Sequence, residues 1–239
     1  MELTYIYHSG FAIEAENYSI VIDFFKDTQG VRKGYVYDHL LKKDTKLYVL
    51  STHSHRDHFS PDILKWKSIN PNTQYIFSGD ILEDKFAKET DAFYLNKLES
   101  YIDKNLEIKA YGSTDKGISF LIKTENKLIF HAGDLNNWHW KDESTPKEIE
   151  AAETAYINEL NLLAKAVKCL DLAMFPVDQR LGKDYMLGAR QFVNKIDVKL
   201  FAPMHFGDHY EQADAFKSYA ESNGCKFFEI KHRGDSMKF

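Results

Sequence analysis

Lys46-Leu47-Tyr48-Val49-Leu50-Ser51-Thr52-His53-Ser54-His55-Arg56-Asp57-His58 is the stretch that decides how this chain is read. Its first half, KLYVLS, is a short apolar run of the kind that forms a strand. Its second half places three histidines and an aspartate within positions 53 to 58. Alternate residues of an extended chain point the same way, so His53 and His55 present their imidazoles to one point. Asp57 and His58 lie just beyond, where a turn aims them at a neighbouring point. Zinc takes such nitrogen and oxygen donors at about 2.0–2.2 Å, usually in tetrahedral array. A polar loop with solvent-exposed histidines is the plainer account. It fits poorly with such a cluster at the carboxyl end of an apolar strand.

Working outward, the chain before this stretch reads as strands: LTYIYHS, FAIEAE, a turn at Glu16-Asn17, and YSIVIDFF. After it, Ser60-Pro61-Asp62 has the form of a helix start, with a capping side chain and then proline. TQYIFSG reads as a strand and ILEDKFAKE as a helix. LEIKAYG, GISFLIKT and NKLIFHAG predict three more strands, the last two joined by a tight turn at Glu125-Asn126. Thr145-Pro146-Lys147-Glu148 is a capping box. Behind it Ile149, Ala152, Tyr156, Leu160, Leu163 and Val167 recur at helical steps. Strand DLAMFPV, helix DYMLGARQFVNKI, strand KLFAPMH, helix QADAFKSYAES and strand CKFFEIK follow. Such a mix predicts sheets packed together with helices outside them. With no repeat and no proline-rich linker, residues 1–239 are expected to form a single domain.

Composition narrows the function classes. The 239 residues are 44% apolar and 28% charged, and 31 basic against 36 acidic side chains leave a net charge of −5. Without a basic stripe, nucleic acid is not expected as a partner, because such binding rests on phosphate neutralisation. Two cysteines, Cys169 and Cys225, are neither a disulfide framework nor a CxxC metal site. No apolar run approaches the ~20 residues of a membrane span. The start, MELTYIYHSGFAIE, lacks a basic segment followed by an apolar one. A cytoplasmic protein without membrane attachment is therefore expected, its oligomeric state left open.

His53-x-His55-x-Asp57-His58 resembles the HxHxDH signature of the metallo-β-lactamase superfamily of hydrolases. The resemblance runs along nearly the whole chain. Val21-Ile22-Asp23 looks like the family's early strand-ending aspartate, which supports the metal loop rather than touching metal. Phe130-His131-Ala132-Gly133-Asp134-Leu135 looks like the later strand ending in Gly-Asp, whose carboxylate bridges two metals. Phe201-Ala202-Pro203-Met204-His205 looks like the last strand, which delivers the final histidine ligand. The spacings, 76 residues from His58 to Asp134 and 71 more to His205, are similar too. HSGFAIE, HAGD and PMHFGD most resemble the branch that contains ascorbate-6-phosphate lactonase-like proteins. The resemblance implies an α/β fold, the four-layer αββα sandwich. It also implies one or two divalent metal ions, with zinc first and manganese or iron as substitutes. Their ligands would be His53, His55, Asp57, His58, Asp134 and His205.

The chain departs from the family at one position. A further histidine between HxHxDH and Gly-Asp is usual, and here no histidine lies between His58 and His131. Ala110-Tyr111-Gly112-Ser113-Thr114-Asp115 occupies about where it is expected. Neutral hydroxyls of Ser113 or Thr114 are poor zinc ligands, and loop aspartates such as Asp115 are most often turn residues. Three readings stay open: two metals with the first held loosely, a single metal, or a replacement ligand. His139 is the nearest replacement candidate, against a plain packing role. Its neighbours Trp138 and Trp140 either wall a pocket or cap an edge. His131 faces away from Asp134 along the strand, and His8 and His39 have no sequence neighbours that recommend metal binding.

The chemistry expected of this set is hydrolysis. A divalent cation lowers the pKa of bound water from ~15.7 to ~7. The hydroxide so formed would attack an ester, lactone or phosphodiester of a small metabolite, with Asp57 as the catalytic residue that orients it. No GxSxG nucleophile motif is present. Arg180, Lys183 and Arg190 read as scattered surface charges ahead of an anion subsite. The rival reading is a non-catalytic metal- or ligand-binding protein on the same scaffold, its metal site partly degraded.

Overall fold

A computed structural model describes residues 1–239. The backbone forms fourteen strands. In chain order they begin with β1 (Glu2–Tyr7), β2 (Gly10–Glu14), β3 (Tyr18–Ile22), β4 (Lys46–Ser51), β5 (Thr73–Ser78) and β6 (Phe93–Leu95). There follow β7 (Ser100–Ile102), β8 (Leu106–Gly112), β9 (Ile118–Thr124), β10 (Lys127–His131), β11 (Cys169–Pro176), β12 (Asp197–Met204), β13 (Lys226–Phe227) and β14 (Ser236–Lys238). They make two seven-stranded mixed sheets, ordered β14-β1-β2-β3-β4-β5-β6 and β13-β12-β11-β10-β9-β8-β7. The chain groups into two compact units, Met1–Asn96 with Ile230–Phe239, and Lys97–Glu229.

In the first unit β1, β2 and β3 pair antiparallel, after which β3, β4, β5 and β6 run parallel. Parallel strands need both faces covered and so read as continuous apolar runs. Every residue of β3 and all of β4 after Lys46 are buried. Phe24, Val49, Phe59, Ile63, Trp66 and Phe77 form the core on one side of this sheet. The indole of Trp66 is fully buried, and its Nε1–H finds the Tyr37 hydroxyl at 3.1 Å. Polar atoms buried with an aromatic ring need such a partner.

The second unit repeats the plan. β7, β8, β9 and β10 pair antiparallel, then β10, β11, β12 and β13 run parallel. Glu125 and Asn126 join β9 to β10 with φ of 45° and 60°, the left-handed pair that a two-residue hairpin requires. The capping box forms as predicted: Thr145 accepts from the Glu148 amide while the Glu148 side chain accepts from the Thr145 amide. The helix it opens, Pro146–Ala166, buries Tyr156, Leu160, Leu163 and Ala164.

Several predicted elements come out differently. Pro61–Ser68 is a 3₁₀ helix, and the Ser60 side chain makes no capping bond. The helix read in ILEDKFAKE is confined to Gly79–Glu83. DYMLGARQFVNKI is helical only over Leu187–Val193, after a 3₁₀ segment Gln179–Asp184 broken at Gly182. QADAFKSYAES splits into Tyr210–Asp214 and Lys217–Ser222. The short strands β6, β7 and β14 carry no sequence periodicity. No helix is long and apolar enough to cross a membrane.

Candidate metal centre

In the first unit the donors gather where β3 and β4 end. These strands are parallel, with Ile22 beside Leu50, so both chains leave the sheet at one end. Ligand sites in open sheets form at such carboxyl ends. Asp23 follows β3 with a left-handed backbone, φ 48°, and is fully buried. Its Oδ1 accepts the Thr52 amide at 2.7 Å, and its Oδ2 accepts both the Thr52 hydroxyl and His58 Nδ1 at 2.7 Å. The same hydroxyl lies 3.0 Å from His53 Nδ1. Since it donates to Asp23, it accepts from His53. Both His53 and His58 thus carry their proton on Nδ1 and turn the Nε2 lone pair outward, the tautomer a metal ligand needs.

Alternation along the loop does what the spacing predicts. His53 Nε2 and His55 Nδ1 approach to 3.1 Å. Ser54 between them turns the other way, its amide to Asp80 at 2.9 Å and its hydroxyl to Asp84 at 2.6 Å. The amides of His58 and Phe59 then both donate to the His55 carbonyl at 2.9 Å, and this turn swings Asp57 and His58 round. Asp57 Oδ2 lies 3.2 Å from His8 Nε2. The ligand atoms of His8, Asp57 and His58 are all within 4.8 Å of one another. His8 has no such neighbours along the chain, because Asp57 is remote from it in sequence. His39 instead lies 3.2 Å from Glu14, half exposed.

In the second unit the donors follow the adjacent parallel strands β10, β11 and β12. Asp134 lies past β10, just after Gly133 with φ 54°. Its loop is pinned by the Trp138 indole, which donates to the Asp134 carbonyl at 2.7 Å. His205 follows β12 at φ 66°, with Nε2 3.3 Å from Asp134 Oδ1 and Nδ1 2.8 Å from Asp178 Oδ2. Asp178, past β11, is chelated by Arg180, whose Nε lies 3.0 and 2.9 Å from its two oxygens. Burial pushes the Asp178 carboxyl up, but hydrogen bonds and charge from His205 and Arg180 outweigh it. The group is held well below the usual carboxylate range. Asp178 was not singled out from sequence, since an aspartate ending a strand is a common turn residue. Arg180 is committed to it rather than to an external anion, and Arg190 lies over the Tyr219 ring.

The segment where the family's further histidine is expected is occupied by loop chemistry. Thr114 Oγ1 donates to the Asn136 carbonyl at 2.5 Å and accepts its amide at 3.0 Å, and Ser113 Oγ accepts the Asp115 amide at 3.3 Å. His139 is buried, with Nε2 3.3 Å from the Asp184 carbonyl and Nδ1 accepting the Lys141 amide at 3.2 Å. Its ring is thus engaged on both sides by backbone. Trp138 and Trp140 stack with centroids 6.2 Å apart, and Trp138 lies 5.4 Å from the His205 ring.

The donor set fits a divalent cation. Two ligands of a tetrahedral zinc with bonds of 2.0–2.2 Å stand about 3.4 Å apart. His53–His55 at 3.1 Å, His8–Asp57 at 3.2 Å and Asp134–His205 at 3.3 Å are all close to that separation. Imidazole nitrogens and carboxylate oxygens together suit zinc, manganese or iron.

The family described as the beta-lactamase superfamily domain matches residues 2–157. The metal-dependent hydrolase YtkL of Bacillus subtilis is 24% identical, over 86% of each chain. A metal-dependent hydrolase of Nanoarchaeum equitans is 26% identical, over 95% of this chain and 94% of its own. Igni18, a metallo hydrolase from the archaeon Ignicoccus hospitalis, superposes with a TM-score of 0.69 at 20% identity, over 100% of this chain and 98% of its own. With two mixed sheets, flanking helices and a matching family pattern over most of its length, the chain belongs to the beta-lactamase superfamily, the hydrolase family its histidine signature resembles.

Proposed function

We propose that this protein is a metal-dependent hydrolase that cleaves an ester, lactone or phosphodiester of a small metabolite. His53, His55, Asp57, His58, Asp134 and His205 are its metal ligands, for one or two ions, zinc before manganese or iron. The observation that carries this reading is the spacing of the donor pairs, 3.1 to 3.3 Å, with Nδ1 of His58 and His205 each held by a buried carboxylate. When bound, a divalent cation supplies Lewis acidity and acidifies water. The residues do the rest. Asp23 and Asp178 hold His58 and His205 in the ligating tautomer, Asp57 orients the attacking water, and Trp138 with Trp140 walls the approach to His205. A lactone is the substrate suggested by the HSGFAIE, HAGD and PMHFGD segments, and the scaffold acts as one domain, 1–239. The test is elemental analysis of purified protein, then hydrolysis of a panel of lactones, esters and phosphodiesters before and after chelation. One to two equivalents of metal and chelator-sensitive turnover are expected. Protein that neither contains nor takes up metal would overturn the reading.

A second reading, a non-catalytic binding protein, is favoured by the lack of any histidine between His58 and His131. It predicts metal uptake with no turnover across the panel, and His55→Ala would then alter stability alone.

A further inference from the structure

We infer that His8 is a further metal ligand, joining Asp57 and His58 on one cation; this rests on the metal-site reading above. His8 and Ser9 form the two-residue turn between β1 and β2, closed by the pairing of Tyr7 with Gly10. His8 has φ 59°, a left-handed conformation that glycine and asparagine also take readily.

The ring is aimed. Its backbone amide donates to the hydroxyl of the fully buried Tyr5 at 2.8 Å. Next to it, the Tyr7 ring lies under two cations, Lys26 at 3.8 Å and Arg233 at 3.7 Å from its centroid. The turn also rests directly on the loop that carries the ligands. A Cβ on Gly10 would meet the Asp23 carbonyl at 3.0 Å, so glycine is what allows the hairpin and Asp23 to touch. The hairpin therefore has little freedom relative to the residue that orients His58. The outcome is a His8 side chain only 12% exposed, edge-on to His58, with Nε2 3.2 Å from Asp57 Oδ2.

This spacing is that of two ligands on one ion and also that of a hydrogen bond, which ring ¹⁵N spectra tell apart. The His8 donor would leave the cation at Asp57 and His58 richer in ligands than the one at His53 and His55, which lacks the family's usual third histidine. Two unequal metal affinities follow, the tighter at Asp57, His58 and His8.

The experiment is zinc titration of the metal-free full-length protein against a chromophoric chelator. It compares wild type with His8→Asn and His8→Ala; asparagine retains the left-handed turn, so a folded variant lacks only the imidazole. Wild type is expected to bind with at least one tight step, and both variants to weaken that step at least about 100-fold, the upper end of what loss of a supporting contact costs. Ring ¹⁵N spectra add a readout that a merely positioning role would not move: His8 Nε2 shifts to the metal-bound range when zinc is added. A folded His8→Asn protein with wild-type affinity, or an unmoved His8 Nε2 signal in zinc-loaded wild type, would overturn the inference while leaving the metal site intact. Wild type that binds no zinc at all would overturn both.

Discussion

Asp23 and Asp178 each sit past the end of a strand in the parallel part of a sheet and each accept a hydrogen bond from Nδ1 of a candidate ligand histidine, at 2.7 and 2.8 Å. Their company differs. Asp23 is sealed, and besides His58 the neutral Thr52 amide and hydroxyl donate to it. Asp178 is also chelated by a guanidinium whose side chain is 57% exposed. Asp23 is thus part of the fold, with nothing able to replace it. Asp178 is part of an electrostatic balance in which Arg180 can swing into water if its partner is lost. The same supporting geometry is built once from packing and once from charge.

Three substitutions break this comparison in different places. Asp23→Ala strands the Thr52 amide, its hydroxyl and His58 Nδ1 in the interior. It is expected to cost about 3–5 kcal/mol in chemical denaturation and to abolish tight metal binding. Asp178→Ala should cost less, about 1–3 kcal/mol, because Arg180 can rehydrate. It should still weaken metal binding about 10–100-fold in chelator competition, since His205 loses its orienting partner. If the two variants lose equal stability, the distinction between packing and charge fails. Arg180→Gln has the smallest effect at neutral pH, under about 1 kcal/mol. Its signature lies in acid. A carboxylate held below its unfolded value of about 3.9 stabilises the fold above that pH and loses the contribution as pH falls through its folded value. Removing Arg180 raises the folded value of Asp178, so acid unfolding of Arg180→Gln should begin at higher pH than in wild type. Superimposable acid curves would show that Arg180 does not tune Asp178.

How much of this was readable in advance follows from where the partners lie along the chain. His53, His55, Asp57 and His58 are contiguous, so strand alternation and one turn sufficed to group them. Asp134 and His205 were found only through the family pattern, because the register of β10 and β12, not local sequence, brings their donor atoms to 3.3 Å. Asp178 and His8 gave no such sign. One looks like any strand-ending aspartate, and the other meets Asp57 only through the closing of the β1–β2 hairpin. Strands with alternating or continuous apolar runs, such as β3, β4, β8 and β9, were legible. The three-residue β6, β7 and β14 were not, since so short a run has no period to detect. The Ser60-Pro61 start predicted a capped helix and the chain made a 3₁₀ turn instead, its serine hydroxyl not engaged in a cap.

The paired indoles beside His205 have an optical consequence. The chain has three tryptophans, and Trp66 is sealed in the aromatic core of the first unit with no exposed surface. Trp138 and Trp140 are partly exposed and stacked, and Trp138 both holds the Asp134 carbonyl and lies 5.4 Å from His205. Intrinsic fluorescence is therefore a local gauge: a change in emission when metal is added reports on the Asp134 and His205 side, against a constant background from Trp66. Exciting at the indole band during a metal titration would time the filling of that side without any label.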